Sequence, residues 1–277
     1  MLNYYELSLN ISPFHPFNEI AVAWLADLGY ESFMEEESVL KAYIQEPLFN
    51  QEALQERLLK MKQHVAVADR LILIPGQNWN AQWESSFTPV VLNQLTILAP
   101  FHSEEWRKGM FIEIEPKMSF GTGHHATTAL MCEAMRAIDF NGISVLDMGT
   151  GTGVLAIYAE KLGADEILGV DIESWAIENA RENAARNGCR NISLLLEDIH
   201  RVMLDPFEVV LANINKNVLK VQMGVYSNFL KKSGILLLSG FFTQDDNEII
   251  QTASNYNLTL QKRYEKDSWS CLQFVKN

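Results

Sequence analysis

Three closely spaced glycines, Gly149, Gly151 and Gly153, follow the apolar run VLDM at residues 145–148, and Asp171 ends a second apolar run, ILGVD. A residue without a Cβ lets a backbone turn pass tightly beneath a bound group. A carboxylate at the end of the next strand supplies two acceptor oxygens, which suits the paired hydroxyls of a ribose. The chemistry indicated is nucleoside binding. A plain strand-to-helix turn in an α/β sheet would use similar glycines, but the acid on the following strand argues for a ligand.

The glycine spacing separates two cofactor classes. A dinucleotide turn is built on G-x-G-x-x-G, and here Val154 stands where the third glycine would fall. The G-x-G-x-G pattern favours S-adenosylmethionine over a nicotinamide, with Gly149, Gly151 and Asp171 as cofactor-binding residues. Asn213 ends EVVLANI, a run that offers no packing reason for an amide. Its carbonyl oxygen suits an N–H of the cofactor or of a substrate amine, which would align the amine lone pair with a sulfonium methyl group. By spacing alone, a strand-end Asx turn explains it equally well.

Thr127 and Thr128 follow His124 and His125 at the entry of a helix, within SFGTGHHATT. Their hydroxyls, with the open N–H groups of a first helical turn, could hold a carboxylate such as the methionyl one. Helix capping accounts for one threonine easily, and less well for the whole string. The two histidines are adjacent and have no third ligand nearby, so no metal site is expected. Asp198 in LLLEDI stands at the end of a further apolar run, where it either approaches the adenine amine or caps the next turn.

Two sets of elements must position these residues. In the first 75 residues, YYELSLNI alternates as a strand, and FNEIAVAWLADLG sets Ile20, Trp24, Leu25 and Leu28 on one helical face. Two short strands at SFMEEE and VLKAYI, a helix at EALQERLLKMK and a strand at RLILIPG complete βαββαβ, the order of a ferredoxin-like α+β domain. Residues 76–100, with Trp79, Trp83, Phe87 and Pro89, read as a linker whose rings dock on a domain, since exposed aromatics are costly. Residues 101–277 carry alternating strands and helices and close with NLTLQKRYEK and WSCLQFVK, too near each other for a crossover helix and therefore antiparallel. A Rossmann-like, doubly wound, mostly parallel sheet with an antiparallel C-terminal hairpin is expected.

The bulk properties narrow the partners. The 277 residues, 48% of them hydrophobic, are enough for one large domain or two smaller ones. A net charge of −13 argues against an electrostatic grip on nucleic acid and suits a basic protein partner, although acidity also serves solubility alone. Three scattered cysteines form neither a disulfide framework nor a zinc spacing. The N-terminus lacks a signal-peptide pattern and no apolar run reaches about 18 residues, which points to a soluble, cytoplasmic chain, expected to be a monomer.

With SFGTGHHATTAL, VLDMGTGTGVLAI, GVDI, ANI and the segment NWNAQWESSFTPV together, the sequence resembles the ribosomal large-subunit protein 11 methyltransferase (PrmA) family over nearly its whole length. The resemblance implies a ferredoxin-like recognition domain at 1–75, a linker at 76–100 and a class I S-adenosylmethionine-dependent methyltransferase domain at 101–277. It implies trimethylation of lysine side-chain and N-terminal amines of the ribosomal protein, with cofactor positions at Thr128, Gly149, Asp171 and Asn213 and amine orientation by Asn213. In many class I enzymes the position of Asp198 lies near the adenine amine. The family's G-T-G-T-H-P-T-T is GTGHHATT here, with His124 for threonine and Ala126 for proline, and its N-I-L is Asn213, Ile214, Asn215. The alternatives are the same cofactor with another protein or a small-molecule amine as acceptor, a noncatalytic docking module, and a nicotinamide oxidoreductase.

Overall fold

The computed structural model describes residues 2–76, 87–117, 121, 123–201 and 203–277. The chain divides into two compact units, Met1–Ser86 and Phe87–Asn277. In the first unit, strands β1 (Tyr4–Ser12), β2 (Ser32–Glu36), β3 (Val39–Gln45) and β4 (Ala66–Ile74) form a sheet of order β2-β3-β1-β4. All its pairings are antiparallel. Helix α1 (Phe17–Ala26) joins β1 to β2, and α2 (Gln51–Lys62) joins β3 to β4, giving the ferredoxin-like order.

The period of two in β1 turns Leu7, Leu9 and Ile11 to one face, where Leu40, Ala42 and Ile44 of β3 meet Leu25 of α1 and Leu54, Leu58 and Met61 of α2. Asn50 caps α2, its side chain accepting the Ala53 N–H at 3.1 Å. Of the face the sequence suggested, Leu25 is buried and Trp24 and Leu28 pack against the core, and only Ile20 departs. Asn18, Ala21 and Leu25 are buried while Ile20 is 38% exposed. The Asn18 amide donates to Glu35 at 2.8 Å.

Of the segment read as a linker, residues 77–86 with Trp79 and Trp83 lie outside the described residues. The rest is not a linker in form. Strands β5 (Val90–Leu92) and β6 (Leu95–Leu98) make a tight antiparallel hairpin through Asn93, whose φ of +49° an asparagine tolerates. Strand β7 (Met110–Glu113) pairs parallel to β6, and Leu95, Ile97 and Ile112 enter the core of the second unit. These strands are short and set among polar and aromatic residues, which hides their period. The ring of Phe87 packs 4.3 Å from that of His124.

The main sheet of the second unit has seven strands: β8 (Ser144–Met148), β9 (Glu166–Asp171), β10 (Ile192–Leu196), β11 (Phe207–Asn213), β12 (Leu230–Phe242), β13 (Leu258–Lys266) and β14 (Trp269–Lys276). Their order is β10-β9-β8-β11-β12-β14-β13. The first five are parallel, and β14 runs antiparallel between β12 and β13. Alternation along each central strand feeds two cores: Val145, Leu211 and Leu237 face one, and Leu146, Val210, Leu236 and Leu238 the other.

Helices α3 (Ala126–Met135) and α4 (Val154–Lys161) pack into the first core, and α6 (Lys216–Asn228) and α7 (Asp246–Ser254) into the second. Helix α5 (Ser174–Arg186) follows β9. The sheet is doubly wound, with the class I methyltransferase strand order. Among the described residues no helix is long and apolar enough to cross a membrane.

Candidate functional site

Strand order reverses between β8 and β11: from β8 the chain proceeds to β9 and β10 on one side, and from β11 to β12 on the other. Loops leaving the carboxyl ends of two such strands diverge and leave a crevice. A cavity of about 500 Å³ lies there, with Gly149, Gly151, Asp171 and Asn213 on its wall. Four positions up to 64 residues apart in sequence are thus brought together by one topological feature.

The glycine turn is held from beneath. Gly149, Gly151 and Gly153 all have positive φ, +66°, +55° and +79°, and the N–H groups of Gly149 and Thr150 donate to the Val170 carbonyl at 2.9 and 3.1 Å. Asp147 is buried under the turn and accepts from the Thr150 hydroxyl at 2.7 Å and from Ala156 N–H at 3.2 Å. Burial pushes its carboxyl up to about 6, against the pull of these two donors.

Asp171 ends β9 with each carboxylate oxygen accepting one backbone N–H, from Gly151 at 3.0 Å and from Glu173 at 3.1 Å. Each oxygen keeps a second lone pair, enough for one hydroxyl apiece. The same bond to Gly151 ties the carboxylate to the turn, so the two halves of a nucleoside site move as one.

Asn213 ends β11, and its side-chain oxygen is buried with no hydrogen-bond partner among the described residues. The Asx-turn alternative therefore fails for Asn213. Asn215 does that work instead, accepting the Asn217 N–H at 2.9 Å at the start of α6. Two glycines pin the segment that follows Asn213. A Cβ on Gly149 would lie 2.4 Å from Ile214 Cγ2, and a Cβ on Gly240 would lie 2.2 Å from the Ile214 carbonyl oxygen. Gly240 also lines the cavity, at the end of LLLSG, a signal that the sequence reading passed over.

Thr128 does not reach the cavity. Its side chain is fully buried, its hydroxyl is without a partner among the described residues, and its N–H donates to the His125 carbonyl at 3.1 Å. Thr127 is fully buried too, and its hydroxyl lies 2.8 Å from Nδ1 of His125. The helix entry is capped by His125 itself, whose Nδ1 accepts the Thr127 N–H at 3.3 Å. The Thr127 donors are spent on the cap and the Thr128 hydroxyl is buried away from the cavity; Ser119, Phe120 and Thr122 lie outside the described residues.

His125, not the threonines, faces the cavity from this segment, 4.5 Å edge-on to the ring of Trp269 on the far hairpin. Burial lowers the His125 pKa, and an Nδ1 that accepts from an N–H leaves the ring proton on Nε2. His124 turns the other way, with Nε2 2.8 Å from the Thr88 carbonyl oxygen. Among the described residues no group of three metal-ligating side chains occurs. Asp198 caps its own turn, accepting the His200 N–H at 3.0 Å, and the neighbouring Glu197 lines the cavity. Glu197 sits within LLLEDI beside Asp198, whereas no motif surrounds Trp175 or Trp269.

Residues 17–277 match the family model of ribosomal protein L11 methyltransferase (PrmA). The chain belongs to this family. The ribosomal protein L11 methyltransferase of Porphyromonas gingivalis is 37% identical over 269 residues, 93% of this chain and 90% of that protein. That of Bacteroides fragilis is 34% identical over 279 residues, 99% of this chain and the whole of the other. The crystal structure of ribosomal protein L11 methylase from Lactobacillus delbrueckii subsp. bulgaricus matches with a TM-score of 0.64 at 26% identity, over 69% of this chain and all of that one.

A member of the PrmA family is a methyltransferase that takes its methyl group from S-adenosylmethionine. The cavity fits that donor: a carboxylate with two open lone pairs stands by the glycine turn, and a buried amide oxygen without a partner stands at the end of β11.

Proposed function

We propose that the chain transfers methyl groups from S-adenosylmethionine to lysine side-chain and N-terminal amines of ribosomal protein L11, as a cytoplasmic monomer. The observation that carries this reading is the partnerless side-chain oxygen of Asn213 in the same cavity as Asp171. A buried acceptor left unpaired costs about 1 to 3 kcal/mol, and an incoming N–H removes that cost.

When bound, the sulfonium donor supplies an electrophilic methyl group. Asp171 would hold the ribose hydroxyls, with Gly149 and Gly151 letting the backbone approach, and Asn213 would accept an N–H of the amine and so orient its lone pair. A lysine is protonated near neutral pH, and freeing its lone pair costs about 4 to 5 kcal/mol from its ordinary pKa. Met148, Leu155, Val170 and Ile199 give the cavity an apolar lining, and an apolar wall lowers an amine's pKa by disfavouring its charged form. The proton leaves to solvent before transfer, so positioning and desolvation carry the catalysis without a dedicated base.

In this reading the unit before residue 76 recognises the acceptor, and the unit from Phe87 onward, which takes in β5 and β6, holds the chemistry. The chain's net charge of −13 supports a basic protein as acceptor. Incubating the purified chain with unmethylated L11 and S-adenosylmethionine, followed by intact and fragment mass spectra, tests it. Methyl groups on lysine and N-terminal amines are expected. Unmodified L11 beside a labelled small amine or other ribosomal protein would overturn the acceptor assignment.

A further inference from the structure

We infer that Asn183 is a positioning residue that couples the glycine turn to the segment carrying Gly121 and His125, and so sets the affinity for the methyl donor. The inference rests on the donor assignment above. Its starting point is a sequence spacing that the site did not absorb: Asn179, Asn183 and Asn187 recur every fourth residue along and just past α5. Residues four apart share one helical face, and an asparagine stripe on a buried face demands partners.

The partners are backbone groups from two other segments. Asn183 is 0% exposed. Its Nδ2 donates to the carbonyl of Thr152 in the glycine turn at 2.9 Å, and its Oδ1 accepts the Glu115 N–H, just past β7, at 2.9 Å. Asn187 brackets the same strand one step earlier, accepting the Glu113 N–H at 2.9 Å and donating to the Glu113 carbonyl at 2.7 Å. Asn187 touches only the strand and its own helix, whereas Asn183 touches the strand and the turn.

A second link closes the loop. The Thr152 hydroxyl donates to the Gly121 carbonyl at 2.8 Å. A Cβ on Gly121 would fall 2.6 Å from that hydroxyl oxygen, so the approach of the two segments is as close as the backbone allows. On the helix side, a Cβ on Gly153 would lie 3.2 Å from Ala180 Cβ, which leaves α5 seated directly on the turn. The chain of contacts runs from Glu115 through Asn183 to Thr152 and on to Gly121. Gly121 and Gly151 both line the donor cavity. Asn183, bonded to the turn at Thr152 and to the backbone at Glu115, therefore holds the turn where the Thr152 hydroxyl meets Gly121.

The test compares Asn183→Asp with Asn187→Asp in the full chain. Each keeps an acceptor for its backbone N–H and replaces the amide donor with an oxygen facing a carbonyl, at a fully buried position for Asn183 and a half-buried one for Asn187. Donor affinity is read by calorimetry with S-adenosylmethionine, and KM and kcat by methyl transfer to L11. Asn183→Asp is expected to weaken donor binding and raise donor KM roughly tenfold, equivalent to about 1.4 kcal/mol, with the KM for L11 unchanged. Asn187→Asp is expected to stay within about twofold of wild type in donor affinity.

Thr152→Val, which keeps shape and removes the hydroxyl, is expected to reproduce the donor-affinity loss and serves if Asn183→Asp does not fold. Equal shifts in Asn183→Asp and Asn187→Asp, or wild-type donor affinity in both Asn183→Asp and Thr152→Val, would overturn the inference. A wild-type chain that binds no donor would overturn the cofactor assignment instead, and one that binds donor without modifying L11 would overturn only the acceptor.

Discussion

Gly240→Ala tests whether the end of β11 is held in place by shape. Gly240 has a φ of +101°, and a Cβ there would lie 2.2 Å from the Ile214 carbonyl oxygen, 2.8 Å from its carbonyl carbon and 3.0 Å from its nitrogen. Non-bonded atoms rest at about 3.5 Å, so the backbone at Ile214 must retreat by roughly 1 Å. Asn213 is the next residue and moves with it. Misplacing a reacting group by about 1 Å costs on the order of 10²-fold in rate, and kcat for L11 methylation at saturating donor should fall by about that factor.

Gly188→Ala is the matched control. Gly188 also has positive φ, +69°, but nothing lies within 4 Å of an added Cβ. That substitution carries only the left-handed backbone strain of about 1 to 2 kcal/mol, visible as a lower melting temperature with kcat intact. A Gly240→Ala enzyme within threefold of wild-type kcat, with Gly188→Ala behaving as described, would refute the reasoning, since the clash would then have relaxed without moving Asn213.

Asp171→Ala removes both ribose acceptors; at about 1.5 to 3 kcal/mol per hydrogen bond to a charged group, donor affinity by calorimetry should fall by more than 10²-fold, and a loss under tenfold would contradict the role. Asn213→Ala should lower kcat by roughly tenfold or more while leaving the urea midpoint nearly unchanged, because its side-chain oxygen makes no bond among the described residues; a large stability loss with normal turnover would point to a structural residue. Asp147 titrates near 6 when folded against an ordinary 3.8, so its protonated form favours the folded state. Its contribution, about 3 kcal/mol, is full below 3.8 and lost as pH rises through 6. Asp147→Asn should therefore gain stability relative to wild type between pH 4 and pH 7 in urea melts, and parallel pH profiles would count against a buried, proton-binding Asp147.

Much of the donor site was legible because its signals are local. A βα turn with three glycines and an acid ending the next strand identify themselves within 27 residues, from Val145 to Asp171. Near-continuous apolar runs such as EVVLAN and GILLLS marked the central strands for the same reason. The capping His125 was not legible, because the threonine string looks the same whether its donors face a ligand or close a helix turn. Strands β5 and β6 escaped because three- and four-residue strands carry too few alternations to show a period. Gly240 and Trp269 reach the cavity only through pairing with partners far along the chain.

The sequence by itself determined the glycine turn, the carboxylate that follows it, the doubly wound pattern and the ferredoxin-like order, since each is written in spacings of a few residues. Tertiary structure alone decided that β14 inserts between β12 and β13, that α1 turns Ile20 outward, that Asn215 rather than Asn213 caps α6, and that Asn183 bonds two separate segments. The physical reason is the same in each case. A backbone preference acts through neighbours in sequence, whereas the partner that satisfies a buried amide or fills the space beside a glycine is chosen by the whole packed chain.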